Sequence, residues 1–280
     1  ASATLATVLA KKASGRVDGF VIEGPTAGGH NAPPRGPLSL NDRGEPVYGD
    51  RDVVDLDAIA ALGRPFWLAG SCGTPDELAD ALQRGAAGVQ VGTAFAFCDE
   101  SGLDPQIKRR VRDMSQRGTI DVRTDPLASP TGFPFKVLSL PDSLCETSHY
   151  EQRDRVCDLG YLRHAYKRDN GSIGWRCPSE PVEAYVCKGG DEAETSGRKC
   201  VCNGLMANIG LGQVRRDGRS ELPLVTSGDA VSDISRFLPT PDATSYSADD
   251  VIAHLLTGLA PTEDQTAGAE APESAPALVD

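Results

Sequence analysis

The sequence predicts an α/β fold in which short buried strands run parallel and alternate with helices. In the segment 65–97, PFWLAGSCGTPDELADALQRGAAGVQVGTAFAF, apolar runs at 66–69 and 87–91 flank a helical pattern. Two strands joined through one crossover helix in the same sheet are parallel. A further apolar run at 19–22 predicts a third strand upstream. Small residues follow the strands at 66–69 and 87–91, which is the third observation behind the α/β prediction.

The helix between the second and third strands has clear start and stop signals. Thr74 is placed to act as N-cap, Pro75 occupies the first helical position, and Glu77 completes a capping box. Gly85 stands where a helix end favours a positive φ. These signals predict a helix between about residues 75 and 84.

The turns after the second and third strands have little side-chain bulk. They carry Gly70-Ser71 and Gly92-Thr93. Backbone N–H groups can approach an anion closely at such turns, and a helix N-terminus adds partial positive charge. Two such turns form the phosphate site after strands seven and eight of many (β/α)8 barrels. The alternative is a structural unit whose glycines serve only tight turns.

Two motifs resemble one family. The segment AGSCGTPDELADALQRGAAGVQVGTAFAFCDES is similar to the C-terminal part of the nitronate monooxygenase family, the 2-nitropropane dioxygenase-like FMN enzymes. That family has an AGG-I turn after strand seven and a GVQVGT-F segment at strand eight. Upstream, DGFVIEGPTAGGH at 18–30 resembles the end of its strand six. The resemblance covers about residues 1–140 and implies strands six to eight of a (β/α)8 TIM barrel.

The resemblance also implies a cofactor and a catalytic residue. FMN is the implied cofactor, with its phosphate held at the two small turns. Ser71 replaces the second turn glycine of the family but keeps a backbone N–H. His30 is the implied base or electrostatic partner of the substrate, although a lone histidine is more often structural. The predicted flavin-contacting residues are Gly28, Gly29, Ala69, Gly70, Ser71, Gln90, Gly92 and Thr93.

Three functions stay open from the sequence. The resemblance implies oxidation of small alkyl nitronates with O2. The stretch GGHNAPPRG at 28–36 also looks similar to trans-acting, flavin-dependent enoyl reductases that use NAD(P)H. A noncatalytic subunit that keeps the shape of the barrel is the third possibility. The long polar loop at 31–54, with a small hairpin expected around 42–44, is compatible with a lid, an insertion or a subunit contact.

A cysteine-containing extension is predicted at 141–258. It holds six of the eight cysteines among short segments rich in glycine and proline. A segment with a small apolar core needs another source of stability. In a reducing compartment, a bound metal is favoured over disulfides as that source. The predicted ligands of zinc or an iron–sulfur cluster are Cys157, Cys177, Cys200 and Cys202, although no CxxC pair is present. The alternative is that these cysteines pack as small apolar side chains.

The charge and the hydropathy of the chain limit the kinds of partner that it is expected to bind. The net charge of −12 and a pI of about 4.8 argue against a nucleic-acid surface. No stretch approaches 18 consecutive apolar residues, so no membrane span is expected and the protein is predicted to be soluble and cytoplasmic. Helices capped at Asp229 and Ser247 are expected to end the ordered part of the chain. Residues 259–280 are predicted to form a disordered acidic tail.

Counting strands predicts a protein partner besides a small-molecule substrate. Three parallel strands cannot close an eight-stranded barrel, and their edges would leave backbone groups unpaired. The extension shows no pattern for five more buried parallel strands. We therefore expect a second polypeptide, from a split gene or a cleaved precursor, to carry the N-terminal half of the barrel.

Overall fold

The predicted parallel sheet is present in the computed structural model, which describes residues 2–259. Its strands are β1 (Phe20–Glu23), β2 (Phe66–Ala69) and β3 (Gly88–Gln90), in the order β1-β2-β3. Both neighbouring pairs are parallel, and the register joins Glu23 to Ala69 and Ala69 to Gln90. The carboxyl ends of all three strands therefore meet at one edge. The predicted acidic tail lies outside the described residues, apart from Leu259.

Helices accompany these strands where the sequence predicts them. Between β2 and β3, the capping box is confirmed because Thr74 Oγ1 accepts the Glu77 N–H at 3.2 Å and Glu77 Oε2 accepts the Thr74 N–H at 2.9 Å. Gly85 ends this region with a φ of +82°. The helices of the first part of the chain are α1 (Ala3–Lys12), α2 (Leu56–Ala60), α3 (Pro75–Gln83), α4 (Thr93–Ala96) and α5 (Pro105–Gln116).

The segment after α5 forms a hairpin that the sequence did not predict. Strands β4 (Val122–Asp125) and β5 (Phe135–Leu138) pair antiparallel. The alternation of apolar and polar residues that predicts a half-buried strand is weak here, because β5 is buried along its whole length. The loop at 31–54 does contain the expected small hairpin, with an antiparallel bridge between Leu40 and Pro46.

The cysteine-containing extension consists of short elements. A second antiparallel hairpin, β6 paired with β7, is again absent from the prediction. Around it lie short helices and a 3₁₀ turn. The elements are α6 (Thr147–Gln152), β6 (His164–Lys167), β7 (Ile173–Arg176), α7 (Val182–Cys187), a 3₁₀ helix (Glu192–Thr195) and α8 (Val201–Ala207).

The two terminal helices differ in how well they were predicted. The helix α9 (Ala248–Leu255) begins as expected, because Ser247 and Asp250 form a capping box. The other is a 3₁₀ helix, Asp229–Phe237, with non-helical backbone at Asp233. Its N-cap is Gly228 rather than the predicted Asp229.

Apolar packing crosses the predicted domain boundary near residue 140. Phe135 from β5 shares a buried cluster with Leu144, Val201 and Leu224. A larger cluster joins residues 94–111 to the terminal helices, and the buried Tyr246 hydroxyl donates to the Ala94 carbonyl at 2.8 Å. The extension and the terminal helices therefore fold against the barrel-like part instead of apart from it.

The three-stranded sheet is open, and several apolar side chains of α1 and β1 are exposed. Strands β1 and β3 each have a partner on one side within the described chain. Leu5 is 57% exposed and Val21 is 48% exposed, and Val8 and Leu9 of α1 are also exposed. Among the described helices, none combines the length and the apolarity that a bilayer crossing requires.

Candidate functional site

A cavity of about 630 Å³ lies at the edge where β1, β2 and β3 end. Its walls come from the turns that follow the strands, at residues 26–29, 69–73 and 90–94. A fourth wall comes from residues 226–237. The eight predicted flavin-contacting residues all line this cavity, although they come from three separate stretches of sequence.

The turn after β2 has a backbone that bulky residues avoid. Gly70 has a φ of +95°, and a Cβ there would lie 2.9 Å from Thr26 Oγ1. Ser71 has a φ of +53°, which is unusual for a residue with a side chain. This left-handed conformation costs a non-glycine residue roughly 1–2 kcal/mol. The glycine that the resembling family has at this position can adopt this conformation without that cost.

Two other glycines leave space in the cavity. Gly29, with a φ of +78°, and Gly92 both line it, and a Cβ at either position would meet no atom within 4 Å. Any side chain there would take up volume that a ligand could otherwise fill. Together with a volume typical of ligand sites, these glycines fit a cofactor the size of FMN.

The fourth wall is held by hydrogen bonds to the strand-end turns. Thr226 Oγ1 accepts the Gly29 N–H at 2.8 Å, and Thr93 Oγ1 accepts the Gly228 N–H at 3.0 Å. A Cβ on Gly28 would lie 2.8 Å from the Gly228 nitrogen, so only glycine permits this approach. This fourth wall was not predicted from the sequence. Its signal was the Thr-Ser-Gly turn before the pattern capped at Asp229.

The charged groups of the cavity are mostly acidic. Burial raises the pKa of the Glu23 carboxyl. Asp229 pairs with the buried Lys136, and Arg236 pairs with Asp233 at 2.8 Å. Of the described lining residues, Arg236 alone carries a permanent positive charge. An anionic ligand group would therefore depend on backbone N–H groups more than on side-chain cations.

His30 lies beside this cavity, outside its described lining. It forms an antiparallel bridge with Phe135, and the two rings meet edge-on with centroids 4.8 Å apart. Its Nε2 lies 2.6 Å from Ser129 Oγ. Burial lowers the pKa of the imidazole, which favours the neutral form near pH 7.

Ser129 fixes the orientation of His30. It is fully buried, and its hydroxyl oxygen accepts the Thr131 N–H at 3.2 Å and pairs with Thr131 Oγ1 at 2.8 Å. The Arg198 guanidinium donates to the Ser129 carbonyl at 2.7 Å. Ser129 was not predicted as a site residue, because His30 and Arg198 lie far from it in the chain.

The four predicted metal-binding cysteines lie in one region, but their sulfurs do not form a tight group. A hydrogen bond from the Cys177 thiol, with help from Arg163, lowers the pKa of Cys157 to about 6. Within residues 2–259, no three of the four sulfurs lie within 4.8 Å of one another. Metal binding by these cysteines therefore stays a prediction. The described group that does meet this spacing is Asp142, Glu146 and His149, on the surface.

Residues 1–124 match the family model described as nitronate monooxygenase. The resemblance predicted from the two motifs is thereby confirmed for this part of the chain. The match includes every residue of the three strand-end walls. The fourth wall and the cysteine-containing extension lie beyond it.

Two curated proteins are similar in sequence. One is the (3aS,4S,5R,7aS)-5-hydroxy-7a-methyl-1-oxo-octahydro-1H-indene-4-carboxyl-CoA dehydrogenase of Mycobacterium tuberculosis, 29% identical over 255 residues, which are 90% of this chain and 64% of that protein. The other is a probable nitronate monooxygenase of Bacillus subtilis, 34% identical over 37% of this chain and 28% of that protein. The chain thus spans less than two thirds of either relative.

Solved structures give weaker similarity. FabK from Thermotoga maritima is 17% identical with a TM-score of 0.46, over 91% of this chain and 58% of that one. The enoyl reductase domain of MlnA from Bacillus amyloliquefaciens is 12% identical with a TM-score of 0.45, over 85% of this chain and 56% of that one. These scores are too low to add to the fold assignment.

The site generates a prediction about the titration of His30. Because burial lowers its pKa, the imidazole should titrate below its ordinary value of 6.5. As the pH falls below about 6.5, the unfolded chain would bind a proton that the folded chain does not, so His30 should lower the free energy of unfolding in acid. Histidine NMR, assigned with His30→Gln, measures the midpoint. A midpoint at or above 6.5 would contradict the burial effect.

Proposed function

We propose that this chain provides the cofactor phosphate site and a catalytic residue of an FMN-dependent oxidoreductase with a (β/α)8 barrel. The observation that carries the proposal is the cavity at the strand ends, walled by small-residue turns within the part that matches the nitronate monooxygenase family. Gly29 and Gly92 line this cavity without a side chain that would occupy part of it.

The flavin phosphate would bind between the turns after β2 and β3. Gly70, Ser71, Gly92 and Thr93 line the cavity there and offer backbone N–H groups with little steric bulk. The Thr93 hydroxyl already accepts the Gly228 N–H, so its own proton can be donated to an anion. Bound FMN would supply the redox chemistry, and these residues would supply its position.

His30 would exchange a proton with the substrate. Its Nε2 is engaged by Ser129, so Nδ1 would be the nitrogen available for that exchange. A neutral imidazole can accept a proton, which suits a dehydrogenation that begins by removing a hydroxyl proton. A nitronate is already deprotonated, so with that substrate His30 would act as a polar partner of the anion. The contacts of Ser129 with Thr131 and Arg198 would keep the ring oriented through the reaction.

Two substrate classes are supported by different observations. Small alkyl nitronates oxidised with O2 follow from the family match over residues 1–124. A carbocyclic CoA thioester that is dehydrogenated follows from the M. tuberculosis relative, which aligns with 90% of this chain, including most of the extension. Reduction of an enoyl thioester with NAD(P)H adds a hydride to a C=C bond and is a different reaction from both; it rests on the similarity of the stretch at 28–36 to flavin-dependent enoyl reductases.

We also propose that a second polypeptide covers the open side of the sheet. Its free edges would accept further parallel strands, and Leu5, Val8, Leu9 and Val21 would become buried in the process. In a surface helix, a row of apolar side chains such as Leu5, Val8 and Leu9 normally faces the protein interior. The covering chain would carry the remaining strands of the barrel and the rest of the flavin pocket.

Replacing Gly92 should remove the flavin without unfolding the protein. Its backbone has an ordinary φ of −103° and its Cβ would meet no atom, so Gly92→Leu would fill the cavity and not strain the fold. We expect at least a tenfold lower flavin occupancy in the affinity-purified complex, measured by absorbance. The control is Gly102→Leu, at an exposed glycine with the same free space. A colourless wild-type complex would refute the flavin proposal, and a fully yellow Gly92→Leu complex would refute this phosphate position.

Replacing His30 should impair turnover and leave the flavin bound. We expect His30→Ala to lower kcat/KM by roughly 10²–10⁴-fold, the usual size of a general-base contribution. Steady-state rates with propyl-2-nitronate and O2, and with a hydroxycycloalkane-carboxyl-CoA and NAD⁺, would show which substrate class is turned over. His149→Ala, on the surface, is the control. Normal activity of His30→Ala would contradict its role, and no turnover of either substrate would favour a noncatalytic subunit.

The partner proposal is tested by native mass spectrometry of the complex. We expect this 29.5 kDa chain together with a second, different polypeptide and FMN. Exchanging Leu5 and Leu9 for Lys should weaken the complex, because charges would then face an apolar interface. Exchanging Asp57 and Asp80 for Lys, which alters charge on other helices, should not. A lone 29.5 kDa species carrying stoichiometric FMN would overturn the proposal.

A further inference from the structure

We propose that Cys157, Cys177, Cys200 and Cys202 are the thiolate ligands of an iron–sulfur cluster in the extension. This site is separate from the flavin cavity, whose lining includes none of these residues. The four cysteines come from three chain segments with little regular structure between them. Their meeting therefore needs a physical cause, and a shared inorganic cofactor supplies one.

Hydrogen bonds first join the segments that carry Cys157 and Cys177. The side chains of Cys177 and Cys157 interact with each other. Two residues earlier in the chain than Cys157, the Arg155 guanidinium donates to the Pro178 carbonyl at 3.3 Å. The interaction between the two cysteines and the neighbouring hydrogen bond from Arg155 thus hold these two short segments side by side.

The start of α8, with its two cysteines, is bound to both of those segments. The Ser179 hydroxyl donates to the Lys199 carbonyl at 2.7 Å, which joins the turn after Cys177 to the residue before Cys200. The Cys200 sulfur lies 3.8 Å from the Val156 carbonyl oxygen, next to Cys157. These contacts hold the three cysteine-bearing segments against one another, and Cys177 and Cys200 are buried.

Backbone N–H groups are directed at three of the sulfurs. Hydrogen bonds of this kind stabilise a thiolate and are one of the means by which proteins set the potential of iron–sulfur clusters. Cysteines that pack only as small apolar side chains do not require them. The donors are Ser179 to Cys177, Asn203 to Cys200, and Tyr161 and Leu162 to Cys202.

Arginines offset the negative charge that four thiolates would bring. Arg163 Nε lies 3.4 Å from the Cys157 sulfur and also donates to the Cys157 carbonyl. Arg153 interacts electrostatically with Cys200 while it is held by Glu221. Burying several anionic sulfurs without such cations would be strongly unfavourable.

The spacing of the described sulfurs does not match a single zinc ion bound by four thiolates. Zinc–thiolate bonds near 2.3 Å place four sulfurs about 4 Å apart. Here no three of the described cysteine sulfurs lie within 4.8 Å of one another. Several iron atoms bridged by sulfide separate their protein ligands more widely, because each thiolate binds a different iron or a different side of the cluster.

Elemental analysis of the natural complex, isolated without oxygen or chelators, tests the proposal. We expect stoichiometric iron and acid-labile sulfide in the wild type. Cys157→Ser and Cys202→Ser, at the two half-buried positions, should lower both by more than tenfold. Cys187→Ser, at an exposed cysteine in the same extension, should keep both at the wild-type level. Less than about 0.1 iron per chain, stoichiometric zinc in place of iron, or full iron content in both ligand variants would overturn the cluster.

A second measurement does not depend on the folding of any variant. X-ray absorption at the iron edge of the wild-type complex should show a first coordination shell made of sulfur. A first shell of nitrogen or oxygen would overturn the four-cysteine assignment. Both readouts are independent of flavin content and turnover, so they separate this proposal from the proposed function.

Discussion

The close backbone contact between Gly28 and Gly228 is the constraint on which the candidate site depends. The space that a Cβ would need at Gly28 is taken by the nitrogen of Gly228, at 2.8 Å from the position of that Cβ. Because both residues lack side chains, the turn after β1 and the segment after Leu224 can lie together and enclose the cavity. Hydrogen bonds through Thr226 and Thr93 then hold this arrangement. A side chain at either glycine would push the fourth wall away.

A second set of contacts connects the cysteine-containing extension to His30. Arg198 donates to the Ser129 carbonyl, and the Ser129 hydroxyl lies 2.6 Å from the imidazole. Arg198 is two residues before Cys200 in the chain. Whatever holds the start of α8 in place therefore also helps to orient the histidine. The extension is in this way part of the structure that supports the site, which agrees with the apolar clusters shared across residue 140.

The described chain buries its apolar surface unevenly. The cluster that contains Val111 and Tyr246 is buried, whereas Leu5 of α1 and Val21 of β1 are exposed. A monomer with this surface would present both an apolar patch and an unpaired strand edge, which together favour association. Since the ends of the same strands form the cavity, a partner that adds strands to the sheet would also extend the site. Cofactor binding and assembly are therefore expected to be linked.

The sequence alone determined the local features: the strands at 66–69 and near 19–22, the capping boxes at Thr74 and Ser247, and the small turns that line the cavity. Caps and turns depend on residues a few positions apart, so their signals survive without tertiary context. The tertiary structure alone decided the wall at 226–237, the contact of Ser129 with His30 and the two antiparallel hairpins. Each of these depends on groups distant in the chain, whose meeting is set by long-range packing that no local pattern records.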